Sequence, residues 1–145
     1  MQNNSVEYAR VVRFLEHGTH AVWPLIADFG GITGWIDGVS ACHVTGDGVG
    51  AIRTVSIRGR QVRERLHISD RARGVLAYQI LPPHSLPASD ILSTIELFGV
   101  PPRSTRIVWR SEAVLGTDAQ TLRAAIEPFF SASLTNLQRL LDQAV

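Results

Sequence analysis

What most constrains this chain is the order of its patterns. Six short segments of alternating polarity follow one another from residue 40 onward, and then a single long amphipathic helix runs to the C-terminus. The segments cover about 40 to 45, 50 to 58, 60 to 69, 74 to 81, 89 to 98 and 104 to 113. Turn formers separate them: Gly46-Asp47-Gly48, Gly59, Asp70 to Gly74, Pro82-Pro83 with Pro87, and Gly99 to Arg103. This spacing predicts an antiparallel meander. In the closing helix, Thr117 and Gln120 form a capping box, and Leu122, Ile126, Phe129, Phe130, Ser133, Leu137, Leu140 and Leu141 recur at helical spacing. Pro128 lies inside it, lacks an amide hydrogen, and predicts a kink.

The N-terminal part is less regular. A strand is expected over about Val6 to Glu16, with Val11-Val12 obscuring its buried parity, and Gly18 ends it. Thr19 is read as the N-cap of a short helix that contains Pro24 and stops at Gly30-Gly31, and a second helical turn follows over about Ile32 to Ile36. Seven strands with one long helix cannot close into two fully filled layers. The expected architecture is α+β, a curved seven-stranded antiparallel sheet wrapped around the C-terminal helix, with two short helices after the first strand. A cavity should remain between sheet and helix.

One residue faces that cavity against type. In Val62-Arg63-Glu64-Arg65-Leu66-His67-Ile68, alternation puts Val62, Glu64, Leu66 and Ile68 on one face, so a carboxylate stands among apolar side chains. Burying it requires a paired charge, a raised pKa or water. Arg53 shares a face with Val55 and Ile57, and hairpin pairing about Gly59 brings residues 53 and 64 together. The expectation is a salt bridge on the cavity side, with Glu64 ionised and acting as an acceptor. Trp109 alternates with Ile107 and Ser111, and Asn136 lies on the flank of the apolar stripe of the last helix. Trp35 and Phe129 are candidates for the cavity wall. Ser89, Ile91 and Ser93, one alternate set of the strand over 89 to 98, complete the candidate ligand-binding positions.

Composition removes several classes of function. A chain of 145 residues, 45% apolar and 19% charged, fits one domain over 1–145. No apolar run is long enough to cross a bilayer, and the polar start Met1 to Ser5 lacks the features of a signal peptide, so a cytoplasmic location is expected. A single cysteine, Cys42, excludes an internal disulfide. All fourteen basic residues are arginine, so neither Schiff-base chemistry nor a lysine base is available. Net charge is +1, and the arginine run from Arg58 to Arg73 carries no interleaved aromatics. It is read as a solvated outer face, with no nucleic-acid partner. His17 and His20 have no third ligand nearby, so no metal and no cofactor is expected. Gly46 to Gly50 precedes a strand, which makes it a hairpin turn and not a phosphate loop.

Val22-Trp23-Pro24-Leu25-Ile26-Ala27-Asp28-Phe29-Gly30-Gly31, Trp35, Gly50-Ala51-Ile52-Arg53-Thr54, Glu64-Arg65-Leu66 with Asp70, Tyr78-Gln79-Ile80 and Trp109 together resemble the START-like (SRPBCC) superfamily of helix-grip proteins. The nearest branch is the bacterial polyketide cyclase/dehydrase-like group, with birch-pollen-allergen type proteins and plant abscisic acid receptors as distant relatives. The resemblance implies a helix-grip fold, that Arg53, Glu64, Tyr78, Trp109 and Asn136 face a pocket, and that His84, beside Pro82-Pro83, stands on a loop at its mouth. It fits three functions: binding or carriage of a small hydrophobic molecule, a polyketide cyclase or dehydratase using Arg53, Glu64 and Tyr78, and a module acting through a protein partner. A homodimer is compatible with each. The receptors' gate sequence is absent, Ile57-Arg58-Gly59-Arg60-Gln61 standing in its place.

Overall fold

The computed structural model describes residues 4–144, so Met1 to Asn3 of the polar start lie outside the described residues. Strand β1 (Val6–Leu15) leads into helix α1 (Thr19–Ala27) and a single 3-10 turn (Ile32–Gly34). There follow β2 (Val39–Thr45), β3 (Ile52–Ile57), β4 (Arg60–Asp70), β5 (Val75–Leu81), β6 (Ala88–Val100), β7 (Ser104–Leu115) and helix α2 (Ala119–Gln143). All seven strands join one antiparallel sheet in the order β1-β7-β6-β5-β4-β3-β2, so consecutive strands are neighbours except where β1 closes onto β7. This is the helix-grip architecture expected from the order of patterns. Among the described residues, no helix is long and apolar enough to cross a membrane.

Three local expectations need correction. The cap of α2 is Asp118, not Thr117: its carboxylate accepts the Thr121 amide at 2.9 Å, and that bond holds its carboxyl below the usual value. Thr19 is the first residue of α1, not its cap, because Gly18 occupies the cap position without a side-chain bond. The turn after α1 is shorter than the predicted 32 to 36. Helix α2 itself runs unbroken through Pro128.

Two bulges break the alternation that the sequence reading relied on. Between Leu66 and Ile68 the β4–β5 register shifts, so Leu66 remains in the core while Ile68 turns outward and is 39% exposed. Between Ser89 and Leu92 the β6–β7 register shifts around Asp90, whose φ is +52°, and Ser89 and Ile91 no longer share a face. A third bulge, at Glu7/Ala9, buries both Tyr8 and Ala9 and explains the ambiguous parity of β1.

The hairpin joining β3 to β4 has the register that matters for the site. Arg58 and Gly59 both have positive φ, +48° and +78°, which gives the tight two-residue turn whose twist matches its strands. Pairing Ile57 with Arg60 then forces Arg53 directly opposite Glu64. The core lies between the inner sheet face and the C-terminal half of α2, where Leu134 and Leu137 are fully buried in one cluster with Ile107 and Trp109.

Candidate functional site

A cavity of about 490 Å³ opens between the inner faces of β3, β4 and β5, the first half of α2 and the loop after β5. Its body is apolar, built from Val55, Val62, Ile80, Leu86, Ile126 and Phe129. Strand parity accounts for the sheet members, since Val55 lies two residues from Arg53, Val62 two from Glu64, and Ile80 two from Tyr78.

Set into this wall is the Arg53–Glu64 ion pair. Nε of Arg53 donates to Glu64 Oε1 at 2.7 Å, and the two side chains are 3% and 14% exposed. Nη1 of Arg53 donates to the Phe29 carbonyl at 3.1 Å. The guanidinium lies between two rings, 4.1 Å from the centroid of Phe29 and 4.8 Å from that of Tyr78. Contact with Glu64 is through one hydrogen bond and not a bidentate fork, which leaves Nη2 of Arg53 and Oε2 of Glu64 uncommitted among the described residues. Phe29 is therefore part of the site. Strand and helix periodicity do not single it out, and the Asp28-Phe29-Gly30-Gly31 stop after α1 is the signal that a backbone carbonyl is freed there.

Tyr78 is fully buried, and burial pushes its hydroxyl well above the ordinary phenol range; the nearby Glu64 charge adds to this, against opposition from Arg53. It is a neutral donor at physiological pH, not a base. Tyr8, the other tyrosine of the chain, is also raised by burial. Since both folded-state values lie above the ordinary 10.0, the folded protein keeps protons that the unfolded chain has released. The tyrosine contribution to stability is complete below about pH 10 and is lost as pH rises above it. An absorbance titration of tyrosinate should therefore coincide with loss of circular dichroism. Ionisation of a tyrosine near its ordinary value in a still-folded chain would contradict the burial.

Trp109 forms the floor. Its ring stacks on Phe130 at 4.1 Å and 8° and is tilted against Trp35 at 5.7 Å and Phe129 at 6.3 Å. Its Nε1 is buried and has no hydrogen-bond partner; the Tyr78 hydroxyl lies close enough for the indole to favour its ionised form, but outside bonding geometry. Nδ1 of His84 is likewise buried and unpartnered, at the mouth. Such groups each cost about 1–3 kcal/mol unless something accepts from or donates to them.

Of the eleven candidate positions, Arg53, Glu64, Tyr78, Trp109, Phe129 and His84 line the cavity. The other five lie elsewhere. Trp35 packs behind Trp109. Asn136 faces the loop after α1, where its Nδ2 donates to the Trp35 carbonyl at 3.1 Å. Ser93 donates to Ser111, which donates to the Tyr8 hydroxyl at 2.7 Å, a buried chain within the core. Ile91 is core and Ser89 is exposed, as the bulge at Asp90 requires.

The arginine run was read as an outer face, and for Arg58 and Arg60 that needs correcting, because both border the cavity mouth. Nη2 of Arg58 pairs with Asp37 Oδ2 at 2.6 Å, and its guanidinium lies 5.9 Å from the Phe129 centroid. Asp37 is in turn tied to α2, its amide donating to Ser133 Oγ at 2.9 Å. A tight turn exempts its residues from strand parity, which is why the alternation could not place Arg58.

Comparison with known proteins agrees with this fold. A crystal structure of a protein from Bacillus thuringiensis superposes with a TM-score of 0.81 at 19% identity, over 92% of this chain and 97% of that one. The Zhui aromatase/cyclase from Streptomyces gives 0.78 at 17% identity, over 96% and 94%. Norcoclaurine synthase from Thalictrum flavum, in complex with dopamine and hydroxybenzaldehyde, gives 0.75 at 14% identity, over 96% and 87%. At these identities the likeness establishes the fold alone. No curated protein matches the sequence significantly. The family described as polyketide cyclase / dehydrase and lipid transport matches residues 13–142, nearly the whole chain, and the protein belongs to that family.

Proposed function

We propose that the protein binds and carries a small hydrophobic molecule, of lipid, polyketide or aromatic type, in the cavity between sheet and α2. One observation carries this: an apolar cavity of about 490 Å³ with a buried ion pair in its wall whose outer atoms are uncommitted. The volume falls within the ~300–1,000 Å³ of small-molecule sites, and such sites combine an apolar body with a few placed polar groups. Here the aliphatic wall supplies contact area, while Arg53 Nη2 and Glu64 Oε2 orient a hydroxyl or carbonyl, directly or through water. Carriage requires neither metal nor cofactor, and residues 1–145 suffice for it as one ligand-binding unit. Native mass spectrometry of protein purified from its own host is the test. A copurified small molecule released on denaturation is expected, and a bare chain that also fails to take up hydrophobic probes would reject carriage.

A cyclase or dehydratase activity is favoured by a narrower observation. The neutral Tyr78 hydroxyl lies near both the Arg53–Glu64 pair and the unpartnered Trp109 Nε1, a group of donors able to polarise a carbonyl while Glu64 accepts a proton. The engagement of Glu64 by Arg53 at 2.7 Å supports an anchoring carboxylate over a general acid. Turnover of an aromatic polyketide-type intermediate, abolished in Glu64→Gln, would make catalysis the better account.

A further inference from the structure

We infer that the cavity selects an apolar molecule bearing a carboxylate, held with the acid group at the mouth by Arg60, and that it rejects amines; the inference rests on the ligand-binding reading above. Charge around the cavity is unbalanced. Its lining contains three arginines, Arg53, Arg58 and Arg60, against one carboxylate, Glu64. Arg53 is neutralised by Glu64 at 2.7 Å, and Arg58 by Asp37 at 2.6 Å. Arg60, exposed where β4 begins, has no ion pair among the described residues. The rim therefore keeps one uncompensated positive charge at the entrance of an apolar channel, where it attracts anions and is screened by salt.

Hydrogen-bonding capacity points the same way. Arg53 Nη2, the Tyr78 hydroxyl and Trp109 Nε1 offer hydrogens from the cavity wall, while the one carboxylate of the lining, Glu64, has Oε1 held by Arg53 and only Oε2 left to receive a hydrogen. A molecule that complements this wall brings acceptors and negative charge. An amine would bring hydrogens and a like charge past Arg58 and Arg60. Norcoclaurine synthase, of similar fold, holds the amine dopamine; the charge distribution here opposes such a ligand.

The test uses three probes that share an aromatic body and differ in the head group: naphthylacetic acid, naphthylethanol and naphthylethylamine, each titrated calorimetrically into the whole chain at neutral pH. The acid is expected to bind most tightly and the amine least, and added salt should weaken the acid alone. Arg60→Gln should reduce the acid-to-alcohol affinity ratio about tenfold, as loss of one hydrogen bond to a charged group implies, and Arg60→Lys should restore part of it. Equal binding of acid and alcohol, preference for the amine, or an unchanged ratio in Arg60→Gln would each overturn the inference while leaving the cavity a binding site. Failure of all three probes to bind would overturn the binding reading itself.

Discussion

Replacing Arg53 with alanine is expected to destabilise the protein by about 3–5 kcal/mol, the cost of leaving one member of a buried ion pair without the other. The guanidinium is 3% exposed, bonded to Glu64 and to the Phe29 carbonyl, and enclosed by the rings of Phe29 and Tyr78. Without it, Glu64 faces an apolar wall and the carbonyl loses its donor. Urea denaturation measures the loss, and a value under about 1 kcal/mol would mean that water or a neighbour compensates the carboxylate. The double substitution Arg53→Met with Glu64→Leu should recover most of that stability, because packed apolar residues commonly replace a buried pair at little or no cost. Ligand affinity separates the two roles of the pair. If it only holds the sheet, the double variant recovers binding together with stability; if it anchors ligand, binding remains lost while stability returns. Glu64→Gln should follow the same logic, lowering affinity by more than its stability loss explains.

Trp109→Ala is the second large effect, again about 3–5 kcal/mol. Trp109 is fully buried and joins three other aromatic side chains, lying parallel to Phe130 at 4.1 Å, so truncation opens a cavity that the rigid sheet cannot collapse around. Trp109→Phe is the informative comparison. It keeps much of the stacking surface and removes the unpartnered Nε1, whose burial costs about 1–3 kcal/mol, so its stability loss should be far smaller than that of alanine. If Nε1 donates to a ligand, the phenylalanine variant should nevertheless bind more weakly than the wild type. Equal destabilisation by both substitutions would show that the ring's full outline, not its stacking, is what the core requires.

The sheet and the closing helix were legible because their signals are local and repeated. Alternation over 104 to 113, with turn formers on either side, admits little but a strand, and the stripe from Leu122 to Leu141 admits little but a helix. The Arg53–Glu64 pair was legible for a further reason: a hairpin turns on two residues, so its register follows from the turn alone. The bulges at His67 and Asp90 were not legible, since a bulge is an accommodation to the neighbouring strand and leaves only a weak mark on its own segment. Ile68 and Ser89 were assigned to the wrong face in consequence.

By itself, then, the sequence determined that the consecutive segments from 40 to 113 form a meander, that a carboxylate and a guanidinium would meet on an apolar face, and that lysine chemistry is absent. All three follow from periodicity, turn length and residue type, which are properties of short stretches of chain. Only the tertiary structure decided that Phe29 would clasp Arg53, that Asn136 would hold the Trp35 loop and not face the cavity, and that Arg60 would stand unpaired at the mouth. Those contacts join residues on separate elements, and their geometry depends on how far the sheet curves around α2. That curvature is set by every strand pair and bulge acting together, and no single stretch of residues encodes it.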